Sequence, residues 1–113
     1  MVQIKSDTYL SDTLAKASNV MQEYNFNNEK IIDFVNAIIR EAIHQDKNLN
    51  ISADTDAQIV IYTENEPDNF RNLAIDEEGD VSYMFFAKDK EQSKRKMYYF
   101  EDEMDVKELV ALL

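Results

Sequence analysis

The sequence predicts an α+β fold: two N-terminal helices, a four-stranded antiparallel meander sheet, and a C-terminal helix packed on one face. Three observations lead there. Apolar residues recur at helical spacing up to about residue 45, the period then changes to two, and a short helical stripe returns after Asp105. The segments between the strands are of hairpin length, which leaves no room for a βαβ unit. With 113 residues, the chain is expected to form a single α+β domain over 1–113.

The first helix is justified by Leu10, Leu14, Ala17, Met21 and Tyr24, which share one face, with Asp12, Lys16, Asn19 and Glu23 opposite. Ser6 or Asp7 is its expected N-cap. Asn25 to Asn28 breaks the pattern, and Asn27 as the next cap would set Phe26 and Ile31 up as a hydrophobic staple. The second helix runs to about Gln45. Ile31, Ile32, Phe34, Val35, Ile38, Ile39, Ala42 and Ile43 give it an apolar face too wide for one contact, so it belongs at the centre of the fold.

Lys47 to Asp56 is polar and reads as turns. Ala57 to Thr63 is β-branched and apolar on both faces, the pattern of an inner strand. Glu64 to Phe70 reads as a loop because Pro67 has no N–H to donate. Arg71 to Asp76 is the second strand, and Asp76 to Asp80 a tight hairpin in which the only glycine, Gly79, takes positive φ. Val81, Tyr83, Phe85 and Ala87 line one face of the third strand, with Met84 and Phe86 on the other. Lys88 to Lys94 is a loop, and Arg95 to Glu101 the fourth strand. Asp105 and Glu108 have capping-box spacing ahead of the stripe Val106, Leu109, Val110 and Leu113.

Composition excludes several functions. There is no cysteine and one histidine, which removes disulfides, thiolate zinc sites, Cys nucleophiles and His-pair metal sites. One glycine leaves neither a phosphate-cradling loop nor a nucleophile elbow. No apolar run reaches the roughly 18–20 residues that span a bilayer, and the start lacks the apolar stretch of a signal peptide. The expectation is a cytoplasmic protein with no membrane contact.

No group of carboxylates in the sequence completes a catalytic or metal-binding motif. A calcium loop opening at Asp54 and Asp56 would need glycine where Ile59 stands and glutamate where Asn65 stands. The Asp76 to Asp80 turn is better explained as a solvated hairpin tip than as a cation site. Asp68 with Asp105 and Lys107 mimics a nuclease motif, but Asp105 opens a helix and the net charge repels phosphate. His44, beside Ile43 and four residues after Arg40, fits a helix C-terminal position better than that of a catalytic base. No catalytic residue, metal site or cofactor is expected, and the protein is expected not to be an enzyme.

Charge gives the positive signal. The net charge is −11, with seven acids and five bases in residues 1–50 but sixteen acids and seven bases in residues 51–113. Between Asp54 and Asp80 nine acids stand against Arg71 alone, Lys88 to Lys96 reverses the sign with five bases, and Glu101 to Glu108 returns to five acids. Such a surface draws a basic partner at long range and repels nucleic acid. Lys88, Lys90, Lys94, Arg95 and Lys96 adjoin Tyr98 and Tyr99, a pairing that binds single strands in some proteins. In an acidic chain these bases fit better as protection for an edge strand. Tyr62, Tyr83, Phe85, Phe86, Tyr98, Tyr99 and Phe100 exceed what one core face uses, so some are expected at the surface.

In composition the chain resembles small acidic inhibitors encoded by phages and mobile elements, including nucleic-acid mimics that block restriction, repair or CRISPR enzymes. It is similar in the same terms to toxin-neutralising immunity proteins. These groups share no motif, so no residue is carried over. The resemblance and the charge map together imply a non-enzymatic inhibitor that occupies the basic, nucleic-acid-binding site of an enzyme or toxin, as monomer or homodimer. Its expected contact residues are Glu64, Glu66, Asp68, Asp76, Glu77, Glu78 and Asp80, on two loops bracketing the second strand. The alternative is an intracellular chaperone for a secreted effector, gripping its client through an aromatic sheet face.

Overall fold

The second helix organises the molecule, as its wide apolar face demands. The structure, a computed structural model, describes residues 7–54, 56–66, 69–87, 89–102 and 104–113, with only the backbone described at Asp7, Glu64, Asn65, Glu66, Asn69 and Lys90. The helices are α1 (Asp7–Glu23), α2 (Glu29–His44) and α3 (Val106–Ala111). Ile31, Val35, Ile38, Ile39 and Ala42 of α2 are buried. Burying the four larger ones contributes roughly 6–12 kcal/mol of transfer free energy, comparable to the net stability of a small domain. Residues of all three helices share one apolar cluster with one face of the sheet.

The helix ends are capped without glycine. Asn28, one residue later than expected, is the N-cap of α2; its extended backbone lets Oδ1 accept from the Lys30 N–H at 3.0 Å. Both long helices end in Schellman motifs. After α1 the N–H groups of Phe26 and Asn25 donate to the carbonyls of Met21 and Gln22; after α2 those of Lys47 and Asp46 donate to Ala42 and Ile43. The left-handed positions are Asn25 (φ 60°) and Asp46 (φ 62°), residue types that tolerate this conformation. Ser6 lies outside the described residues, and Asp7 begins α1 itself. Asp105 caps α3, accepting from the Lys107 N–H at 2.9 Å.

The sheet has five strands, not four: β1 (Asn50–Ala53), β2 (Ile59–Glu66), β3 (Asn69–Ile75), β4 (Val81–Phe86) and β5 (Lys94–Tyr98). They pair antiparallel in chain order, so β1 and β5 are the edges. The added strand β1 falls in a segment that reads as turns because only Ile51 of its four residues is buried. It is held by pairing with β2, Ile51 opposite Ile61, and by two flanking bonds, one to α1 and one to the turn after it: the Leu49 N–H donates to the Tyr9 hydroxyl (3.0 Å) and the Tyr24 hydroxyl to the Asp54 carbonyl (3.1 Å). The expected Glu64–Phe70 loop is mostly strand as well: β2 continues to Glu66 across a bulge and β3 resumes at Asn69. Pro67 lies outside the described residues.

Registers place Ile51, Ile61, Leu73 and Tyr83 in one row and Ile59, Ile75 and Val81 in the next, all buried beneath the helices. β5 ends at Tyr98 rather than Glu101, because the chain turns away into a single 3₁₀ turn, Phe100–Asp102. There the Asp80 carboxylate accepts the Phe100 N–H at 3.0 Å, and the ring meets Phe34 edge-on at 5.4 Å. A second 3₁₀ turn, Lys90–Gln92, lies in the connection from β4 to β5.

Candidate functional site

An antiparallel meander sends alternate connections to opposite ends. With five strands, the β1–β2 turn, the β3–β4 turn and the exit from β5 share one end, since Val81 opens β4 beside Tyr98, which closes β5. Asp54 and Asp56, then Asp76, Glu77, Glu78 and Asp80, then Glu101 and Asp102 are thereby drawn together. These three segments carry eight acids and neither Lys nor Arg.

Three of these carboxylates have structural duties. Asp54 Oδ1 accepts the Asp56 N–H at 2.8 Å. Asp76 Oδ1 accepts from Glu78 and Asp80 at 2.9 and 3.1 Å, closing the hairpin, while Asp80 anchors Phe100. Gly79 has the expected positive φ, 85°, and sits against Phe100 and Ile31. The turn is therefore closed by its own hydrogen bonds and presents Glu77 and Glu78 to water, with Asp56, Glu101 and Asp102 also exposed. Asp56, Ala57, Asp76, Glu77 and Glu78 line a shallow cleft of about 200 Å³.

Of the seven expected contact residues, Asp76, Glu77, Glu78 and Asp80 lie in this one turn. Glu64 and Glu66 belong to strand β2, a correction to the loop expected there, and sit at the other end of the sheet. Asp68 lies outside the described residues. The length of β3, seven residues, separates the two ends by about 20 Å. Asp54, Asp56, Glu101 and Asp102 were not among the expected contacts. Counting β1 as a strand is the signal that finds Asp54 and Asp56, because it turns Asp54 to Gln58 into a hairpin at the acidic end, while Glu101 and Asp102 follow from ending β5 at Tyr98.

The bases of β5 lie on an edge strand, where charge protection is needed: Lys94, Arg95 and Lys96 are all exposed. Lys88 is outside the described residues, and Lys90 opens the 3₁₀ turn before β5. Lys96 Nζ stands 5.0 Å from the centre of the Tyr98 ring, and the Arg71 guanidinium 4.4 Å from that of Phe85. The expected surplus of aromatics reaches the surface at Phe86 and Tyr99, 45% and 52% exposed.

His44 is exposed in the last turn of α2. Among the described residues, no group of three or more His, Asp or Glu is placed to hold a metal ion. No described helix is long and apolar enough to cross a membrane. Comparisons with known protein families, with curated proteins and with solved structures find no match to this chain.

Proposed function

We propose that this is a small acidic, non-enzymatic binding protein that inhibits a partner by occupying its basic, nucleic-acid-binding site in the cytoplasm. The supporting observation is the convergence of three acidic turns on one end of the sheet. Five strands about 4.8 Å apart span roughly 20 Å. Over that distance one nucleic-acid strand presents about 6 phosphates and a duplex about 12. Eight carboxylates fall between the two, a charge density a phosphate-binding groove is built to meet. The reading centres on Asp76, Glu77, Glu78 and Asp80 and extends to Asp54, Asp56, Glu101 and Asp102. It asks Glu64, Glu66 and Asp68 only of a partner long enough to span β3.

The test begins with a partner captured from host lysate and continues with association rates at low and physiological salt. Reversing charge at Glu77 and Glu78 to Lys should slow association, since the lost attraction acts before contact. Folding should change by no more than about 0.5 kcal/mol, as is usual for exposed positions. Lys94→Glu with Lys96→Glu is the control and should leave binding intact or faster. The reading fails if the control abolishes binding while the Glu77/Glu78 reversal has no effect.

A second reading, a chaperone for a secreted effector, is favoured by one observation: Phe86, Met97 and Tyr99 are large apolar side chains at least 40% exposed. Its client grip would persist in salt, whereas binding through the carboxylates would collapse.

A further inference from the structure

The sheet face turned away from the helices is short of charge. Twelve described side chains lie on it, at the even-numbered positions of β1 to β4 and at Arg95 and Met97 of β5. Arg95 is the one charge among them; Glu64, whose backbone pairs with Phe70 in the same row, brings the face to two charges in thirteen positions, where a chain with 31% charged residues would place about four. Tyr62, Phe70 and Phe86 form a continuous row with ring centres 5.0 and 6.0 Å apart, and Phe86 and Met97 are 45% and 40% exposed. Loss of charge with gain of Tyr, Phe and Met is the composition of an interface core. In the middle of the same face Asn72 and Ser82 are only 8% and 7% exposed, yet Asn72 Oδ1 and Ser82 Oγ have no hydrogen-bond partner. Native structures seldom leave such atoms unpaired.

We propose that this face packs on the same face of a second copy of the chain, forming a two-fold homodimer. The occupant must be flat and low in charge, which a basic phosphate-binding site is not and an identical sheet face is. An amide and a hydroxyl each donate and accept, so Asn72 and Ser82 are suited to meet their own counterparts across a two-fold axis. Both atoms are buried in one copy, so the proposal requires Tyr62 or Met84, the cross-strand neighbours of Asn72, and Met97, that of Ser82, to change rotamer on association. Five strands by about six residues give a footprint near 480 Å², or roughly 600 Å² of accessible surface per copy after side-chain relief. Twice that value clears the roughly 1,000 Å² of a specific interface and stays below the obligate class. The dimer is therefore reversible. Two copies each carrying −11 repel at long range while their contact faces do not, so salt should strengthen this association. Binding through the acidic end has the opposite salt dependence, and either proposal can fail alone.

The test is sedimentation of the full chain over a concentration series up to about 0.5 mM, at about 20 mM and 300 mM salt. The expected result is a monomer–dimer equilibrium of the 13.2 kDa chain, several-fold tighter at high salt. Phe86→Glu and Met97→Glu, each at a position already exposed in one copy, should weaken it at least about tenfold by burying a charge. Should either variant misfold, a mixed-label NMR sample of the unaltered chain gives the same answer. Intermolecular NOEs are expected between the methyl groups of Met84 or Met97 and the rings of Tyr62, Phe70 or Phe86. A monomer at every concentration and both salts overturns the proposal and returns the face to an apolar client. A dimer that lacks these NOEs and ignores both variants also overturns it and moves the contact elsewhere, such as the β5 edge.

Discussion

Replacing Gly79 by alanine probes the acidic hairpin and the core beneath it together. A Cβ at this position would lie 2.8 and 2.9 Å from Cδ1 and Cγ of Phe100 and 3.2 Å from Cγ1 of Ile31, on a backbone held at φ 85°. The left-handed conformation costs an L-residue roughly 1–2 kcal/mol. Lower entropy of the unfolded alanine chain offsets about 0.4–1 kcal/mol of that. Forcing a methyl into packed ring atoms adds about 1–3 kcal/mol. The net expectation is a loss of about 3 kcal/mol. Urea unfolding followed by far-UV circular dichroism suits a chain without tryptophan. The midpoint should fall by about 1–3 M for m between 1 and 3 kcal/mol/M. Protein concentration must be held constant, because self-association would add to apparent stability.

A companion variant separates the causes. Gly79→Ala combined with Phe100→Ala removes the conflict, and the pair should be less destabilised than the sum of the singles by about 1–3 kcal/mol. If Gly79→Ala lies within about 0.5 kcal/mol of the unaltered chain, or the pair is strictly additive, the packing argument is wrong.

Ile38 is fully buried, and Ile38→Ala should cost about 2–5 kcal/mol by the same titration; a midpoint unchanged within error would show that α2 is not central. Ala57 is exposed at φ 59°, so Ala57→Gly should relieve roughly 1–2 kcal/mol of backbone strain against about 0.5–1 kcal/mol of glycine entropy, a net gain that a lower melting temperature would disprove. Sixteen acids in residues 51–113 repel one another, so the melting temperature should rise between near-zero and about 0.15 M salt. That measurement belongs on the Phe86→Glu chain, to exclude the dimer, and a fall would mean that specific ion pairs outweigh the repulsion.

Whatever depends on near neighbours can be read along the chain. Helix faces follow from spacing: Ala17 and Met21 of α1, and Ile31, Val35, Ile38, Ile39 and Ala42 of α2, are buried as their periodicity requires. The Asp76–Asp80 hairpin and its positive-φ glycine were legible because a turn of five residues carries its own instructions. So were the Asp105 cap and the stripe of α3. The edge role of the basic strand was legible too, because charge next to alternating residues answers an unpaired backbone. Tertiary structure decided whatever needed a distant partner. Asn50–Ala53 has one buried residue and no strand signature; it becomes β1 because β2 offers a ladder and Tyr9 of α1 and Tyr24 just after it hold its flanks. That added strand fixes which turns share an end of the sheet. It brings Asp54 and Asp56 beside Asp76 to Asp80 and leaves Glu64 and Glu66 at the other end, a length of β3 away. Carboxylates distant in the chain carry no local mark of which others they will join, because strand count and register are settled by packing the whole sheet against α2.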